Sequence, residues 1–89
     1  MTEKEWQAHY EITSRTGKIW TRREVAKRAI DMAHGLLLGA KHRGLIRAEV
    51  DVILDDDVFM RARRGMVPAR VVEDVAFRAF YKFAPEKRP

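Results

Sequence analysis

Three aspartates, three apolar residues and three arginines crowd into the stretch "LDDDVFMRARRG", Leu54 to Gly65. Adjacent carboxylates suggest a divalent cation. A calcium loop of the EF-hand kind needs oxygen ligands at alternating positions, a glycine at the sharp turn and a distal glutamate. Here Asp55, Asp56 and Asp57 are consecutive and run straight into Val58-Phe59-Met60, so that template fails. A magnesium ion at a phosphoryl-transfer site asks for further acids or a partner lysine, and the sequence places neither. Two structural readings remain. In a helix, the acids sit at the positive amino end, the arginines at the negative carboxyl end and Gly65 just beyond, with Val58, Phe59 and Ala62 toward the core. In a β-hairpin turning near Asp55-Asp56, Arg61 and Arg63 share one strand face. The helix is the preferred reading.

The other residues able to do chemistry are few. His34 and His42 are eight apart, whereas two imidazoles that share a metal on one helix face stand at i and i+4. Ser14 is the only serine, with no glycine elbow around it, and there is no cysteine. Thiolate zinc sites, disulfides and cysteine nucleophiles are thereby excluded. The expectation is a protein that is not an enzyme and carries no cofactor and no metal.

Charge carries more information. The 89 residues hold 18 Lys and Arg against 13 Asp and Glu, a net of +5. Residues 21–47 have seven bases and two acids, residues 48–57 five acids and no base, and residues 58–89 eight bases and three acids. Two basic segments therefore flank an acidic one. Such a chain can offer a positive surface to a polyanion while the acidic stretch pairs internally or with another copy. The opening "MTEKEWQAHY" lacks the basic end and apolar run of a signal peptide. No aliphatic run is longer than the three residues of Leu36 to Leu38, far too short to span a bilayer. A cytoplasmic protein with no membrane partner is expected.

These residues need elements to position them. Thr2 with Glu5, and Thr21 with Glu24, have capping-box spacing and start two helices. Trp6, His9, Tyr10 and Thr13 share one face of the first, and Gly17 marks a turn. From Val25 to Ala40 the apolar positions gather into one arc, so a single helix from Arg22 to Arg43 is the simplest account. Gly44 would be its left-handed cap. A bend at His34-Gly35, giving two shorter helices, is the alternative. Gly35 and Gly39 leave a smooth stripe, flanked by Met32 and Leu38, where another helix can come close. Ile46, Ala48, Val50, Val52 and Leu54 alternate as in a half-buried strand, although Ile46, Val50 and Leu54 also fit an i, i+4 helical series. Pro68 opens a last helix whose core face runs from Val71 to Phe83, and Pro85 ends it. The fold expected is mainly α: one domain over residues 1–84 with about four helices and a short central strand or hairpin (an α+β fold is the alternative), then a flexible tail over 85–89. The order helix, helix, "RGLI", strand, turn, basic strand resembles a winged helix-turn-helix, with Ile46–Arg64 as the wing. The resemblance extends to element order alone.

Two functions fit. The first is a small nucleic-acid-binding protein, with DNA favoured over RNA, dimeric and regulatory. Arg22, Arg23, Lys27, Lys41, Arg43 and Arg47 would contact phosphates, and Arg61, Arg63 and Arg64 would form a second basic edge. Arginine suits phosphate because its planar fork donates in pairs. The second is a protein-interaction module, an inhibitor or adaptor of the kind phages and mobile elements encode, docking on a larger protein. Phe77 and Tyr81 lie one turn apart, opposite the core face of the last helix. They suit a dimer or partner interface in preference to stacking on unpaired bases. Together with Met32, Gly35, Leu38 and Gly39 they make the interface set.

Overall fold

The computed structural model describes residues 1–37 and 42–88. Helix α1, Glu3–His9, starts where the Thr2 hydroxyl accepts a hydrogen bond from the Glu5 amide at 3.2 Å. It stops at Tyr10, so Thr13 leaves the helical face and joins a two-residue strand instead. Strands β1 (Ile12–Thr13) and β2 (Ile19–Trp20) pair antiparallel, with Ile12 opposite Trp20. Gly17 takes a φ of 83° in the turn between them. The sequence marks that turn, but the strands beside it are too short to show a period.

Helix α2 spans Arg22–Leu37 and α3 spans Arg43–Asp55. This corrects the single long helix. Along one continuous helix Asp31 and Arg43 would stand about 18 Å apart at about 1.5 Å per residue, yet their side chains pair at 3.0 Å. Arg22, at the start of α2, reaches Asp51 and Asp55 at the end of α3. The chain therefore reverses, and the two helices lie antiparallel. The bend proposed at His34-Gly35 is not found either, since α2 runs through both residues. Gly44 sits in the first turn of α3 rather than at a left-handed cap. Val25, Ala29 and Ala33 are fully buried, whereas Leu36, expected on the same arc, is 40% exposed.

The expected strand at residues 46–54, and with it the winged arrangement over Ile46–Arg64, is overturned. Ile46, Val50, Ile53 and Leu54 are buried on one side of α3, while Val52 is 63% exposed. The i, i+4 series prevails because a helix satisfies its own backbone, whereas a lone strand needs a neighbour to bond.

Asp56 then breaks the helix. It is extended, with ψ at 104°, and its carboxylate accepts from the Phe59 amide at 3.1 Å, capping the short helix α4, Asp57–Arg61. The helical reading of the opening stretch therefore holds in part: Asp57 and Arg61 stand at the two ends of α4, but Asp55 ends α3, and Arg63 and Arg64 lie in the turn beyond. Phe59 and Met60 are buried, whereas Val58 is 79% exposed and Ala62 is also exposed. The break at Asp56 resets the helical phase, so the burial pattern is not a continuation of α3. Gly65, with φ at 83°, turns the chain toward α5, Pro68–Phe83. Val71, Val75, Ala76 and Ala79 pack fully into the core, and Phe83 packs partly against it. A 3-10 turn follows at Pro85–Lys87. The fold is a mainly α single domain with five α-helices among the described residues. It exceeds the expected four because residues 46–64 supply two.

Candidate nucleic-acid interface

The antiparallel packing of α2 on α3 leaves a cleft of about 550 Å³ between their outer edges. Arg22, Arg23 and Lys27 enter it from α2, and Arg43 and Arg47 from α3. The spacing accounts for this. Residues 22, 23 and 27 follow one edge of α2 over a turn and a half, and residues 43 and 47 stand one turn apart on α3. Five of the six residues expected to contact phosphate thus share one concavity, although they come from two parts of the chain. The sixth, Lys41, lies outside the described residues.

These five do not stand alike. The Arg22 guanidinium donates to the Asp51 carboxylate and carbonyl, both at 3.3 Å, and to the Asp55 carboxylate at 3.0 Å. It is mostly covered, and it ties the two helices together. Arg43 pairs with Asp31. Arg23, Lys27 and Arg47 are exposed and make no ion pair among the described residues. The cleft therefore holds a braced part, where acid and base neutralise each other, and an open part with three cations. Glu3 is the remaining acid on its lining.

A second groove of about 940 Å³ lies along α5. Phe77 and Tyr81 meet there with ring centroids 6.0 Å apart and planes at 26°. Phe59 lies between two guanidinium groups, those of Arg63 at 4.3 Å and Arg78 at 4.6 Å from its ring centre. Asp74 fixes Arg63 at 3.1 Å, and Asp56 lies 3.7 Å from Arg78. Lys82 and Arg88 complete the basic rim, with Glu49 of α3 opposite.

The second basic edge expected at residues 61–64 is split by this arrangement. Arg63 enters the groove, Arg61 pairs with Asp57 at 2.9 Å, and Arg64 is exposed with no ion pair among the described residues. On α2, Met32 and Gly35 are exposed, and nothing in the chain comes within 4 Å of a β-carbon built on Gly35. Leu38 and Gly39 lie outside the described residues. Lys82 and Arg88 were not anticipated. Lys82 follows Arg78 by one turn on α5, a spacing visible in the sequence, but Arg88 reaches the groove only because the chain turns back after Pro85.

The three aspartates of the opening stretch point to three different places. Asp55 goes to Arg22, Asp56 caps α4, and Asp57 accepts the Tyr10 hydroxyl while holding Arg61. The buried Tyr10 phenol is pushed above its ordinary range, chiefly by that hydrogen bond to Asp57 and then by burial. Glu24 is held below the usual carboxylate range by the Lys18 ammonium at 3.1 Å, against an opposing effect of desolvation. Among the described residues no group of three His, Asp or Glu is placed to hold a metal ion. No described helix is long and apolar enough to cross a membrane. Comparison with protein families, characterised proteins and solved structures finds no match.

Proposed function

We propose that this chain is a small non-enzymatic nucleic-acid-binding protein of the cytoplasm, with DNA favoured over RNA and a regulatory role. The supporting observation is the open part of the α2–α3 cleft, where Arg23, Lys27 and Arg47 converge without a carboxylate partner among the described residues. Cations unpaired inside a concavity favour a polyanion, because each phosphate they neutralise releases condensed counterions. Arg22 and Arg43 then support the site more than they read it, since their charges are already matched.

The test is anisotropy of labelled duplex DNA, single-stranded DNA and duplex RNA at several salt concentrations. The reading calls for affinity that falls steeply with salt. In the triple variant Arg23→Glu, Lys27→Glu, Arg47→Glu the slope of log affinity against log salt should flatten by roughly one for each phosphate that is no longer neutralised. Absence of binding to all three polymers at low salt overturns the reading.

A second reading, an adaptor or inhibitor that docks on a larger protein, is favoured by the apolar edge of α2. Met32 is 38% and Leu36 40% exposed beside the open Gly35. The same edge is where two copies would meet if the protein acts as a dimer. Sedimentation of the native protein against Gly35→Leu reads this directly: a dimer built on the stripe becomes a monomer in the variant.

A further inference from the structure

The groove along α5 is lined by three aromatic rings, those of Phe59, Phe77 and Tyr81, and by more cations than acids. Phe77 and Tyr81 stand one helical turn apart, and so do Arg78 and Lys82 beside them. The two rings of α5 therefore form one row along the helix and the two cations a parallel row about 100° round it, and both rows line the groove. A nucleic-acid strand carries the matching series of base and phosphate. We infer that this groove receives unpaired nucleobases, so that the polymer bound is single-stranded, at least in part. The inference rests on the nucleic-acid reading above and specifies which form of nucleic acid it concerns.

Three features favour this occupant. First, the two rings are close to parallel, with planes at 26°, and Phe77 is 38% exposed. A flat base laid on them extends a stack that already exists, and any base has a face to offer. A duplex cannot, because its base faces are covered by their neighbours. Second, the guanidinium groups are held before any ligand arrives. Arg63 and Arg78 both lie against Phe59, with Asp74 and Asp56 beside them. Groups already ordered lose less freedom on binding. Third, Lys82 and Arg88 make no ion pair among the described residues, which leaves positive charge for a phosphate. A second copy of the chain fits poorly, since its own groove brings the same excess of cations.

The experiment compares oligothymidylate with a blunt hairpin duplex, both fluorescently labelled. The proteins are the native chain, the double variant Phe77→Ala, Tyr81→Ala, and the double variant Phe77→Trp, Tyr81→Trp. Stacking predicts that the alanine variant loses roughly five- to hundred-fold in affinity for the single strand while duplex affinity changes by less than about two-fold. The tryptophan variant should keep or tighten single-strand binding. Photocrosslinking of an iodouracil-containing single strand to the native protein gives an answer that needs no variant. Crosslinks on the peptide bearing Phe77 and Tyr81 support the proposal, and crosslinks confined to α2 and α3 overturn it. Equal losses for both polymers, or single-strand affinity unchanged by the alanine variant, also overturn it while leaving nucleic-acid binding in place. So does a native dimer that the alanine variant turns into a monomer. Failure of both polymers to bind the native protein overturns this inference, and failure of duplex RNA as well overturns the nucleic-acid reading on which it rests.

Discussion

Tyr10 and Asp57 are 47 positions apart in sequence, yet they join the N-terminal part of the chain to α4 by one hydrogen bond. Because Tyr10 is buried and its partner is a carboxylate, Tyr10→Phe should lose about 1–2 kcal/mol of stability, measured by urea unfolding. The pH dependence has a definite sign. The fold raises the phenol pKa above 10.0, the ordinary value, so the unfolded chain gives up this proton first. Stability owed to Tyr10 is complete below about pH 10 and declines as the pH rises through the higher folded value. Tyr10→Phe should remove that alkaline decline, and equal alkaline slopes in the two proteins would count against the assignment. No residue pattern announces this bond. Tyr10 is visible in the sequence on one helical face with Trp6, and Asp57 as one of three acids, but only the tertiary fold brings them together.

At the scale of elements, the helices are legible wherever an apolar face has a steady period. The cores of α2 and α5 follow the expected positions closely. Residues 46–54 were harder because the same apolar residues satisfy a period of two and a period of nearly four. The decision lies in Ile53 and Val52. Alternation counts Val52 as inward and Ile53 as outward, and the fold has them the other way round. The reversal between α2 and α3 was hidden for a different reason, since the apolar arc of the sequence stays in register across Gly35 and Gly39 and so reads as one helix.

Two glycines test the local rules in opposite directions. Gly35 lies within α2, exposed, with space around it. Gly35→Ala should therefore stabilise the fold by about 0.5–1 kcal/mol, through helix propensity and a less flexible unfolded chain. Gly65 has a φ of 83°, where a side chain is strained, and Gly65→Ala should cost about 1–2 kcal/mol despite equally open surroundings. Thermal melts of the two variants, run side by side, should move in opposite directions.

Across the whole molecule, the acidic segment at residues 48–57 is shared between its two basic neighbours. Asp51 and Asp55 hold Arg22 from the segment before it, while Asp56 and Asp57 hold Arg78 and Arg61 from the segment after it. Internal pairing of that stretch was one of the two outcomes its charge suggested. What the sequence does not disclose is which bases are left over, because that depends on which helix edges meet. Arg22→Ala should cost about 1 kcal/mol, less at high salt, because its partners are partly exposed. Replacing Arg23, Lys27 and Arg47 by alanine should change the free energy of unfolding by less than about 0.5 kcal/mol per residue, since these side chains make no ion pair to lose among the described residues. A large destabilisation there would mean that the three residues serve the fold instead of a ligand.

Among the described residues, no charged side chain is buried in the core, which is built of apolar residues together with Trp6 and Tyr10. Ionic strength then acts on two separable properties of the molecule. The interior, held by burial of apolar surface, is nearly indifferent to added salt at moderate concentrations, while any attraction exerted by the cleft and groove fades over a Debye length of roughly 10 Å or less. Salt can therefore be used as a clean dial: a complex taken apart by it should release a protein that is still folded, ready to bind again when the salt is removed.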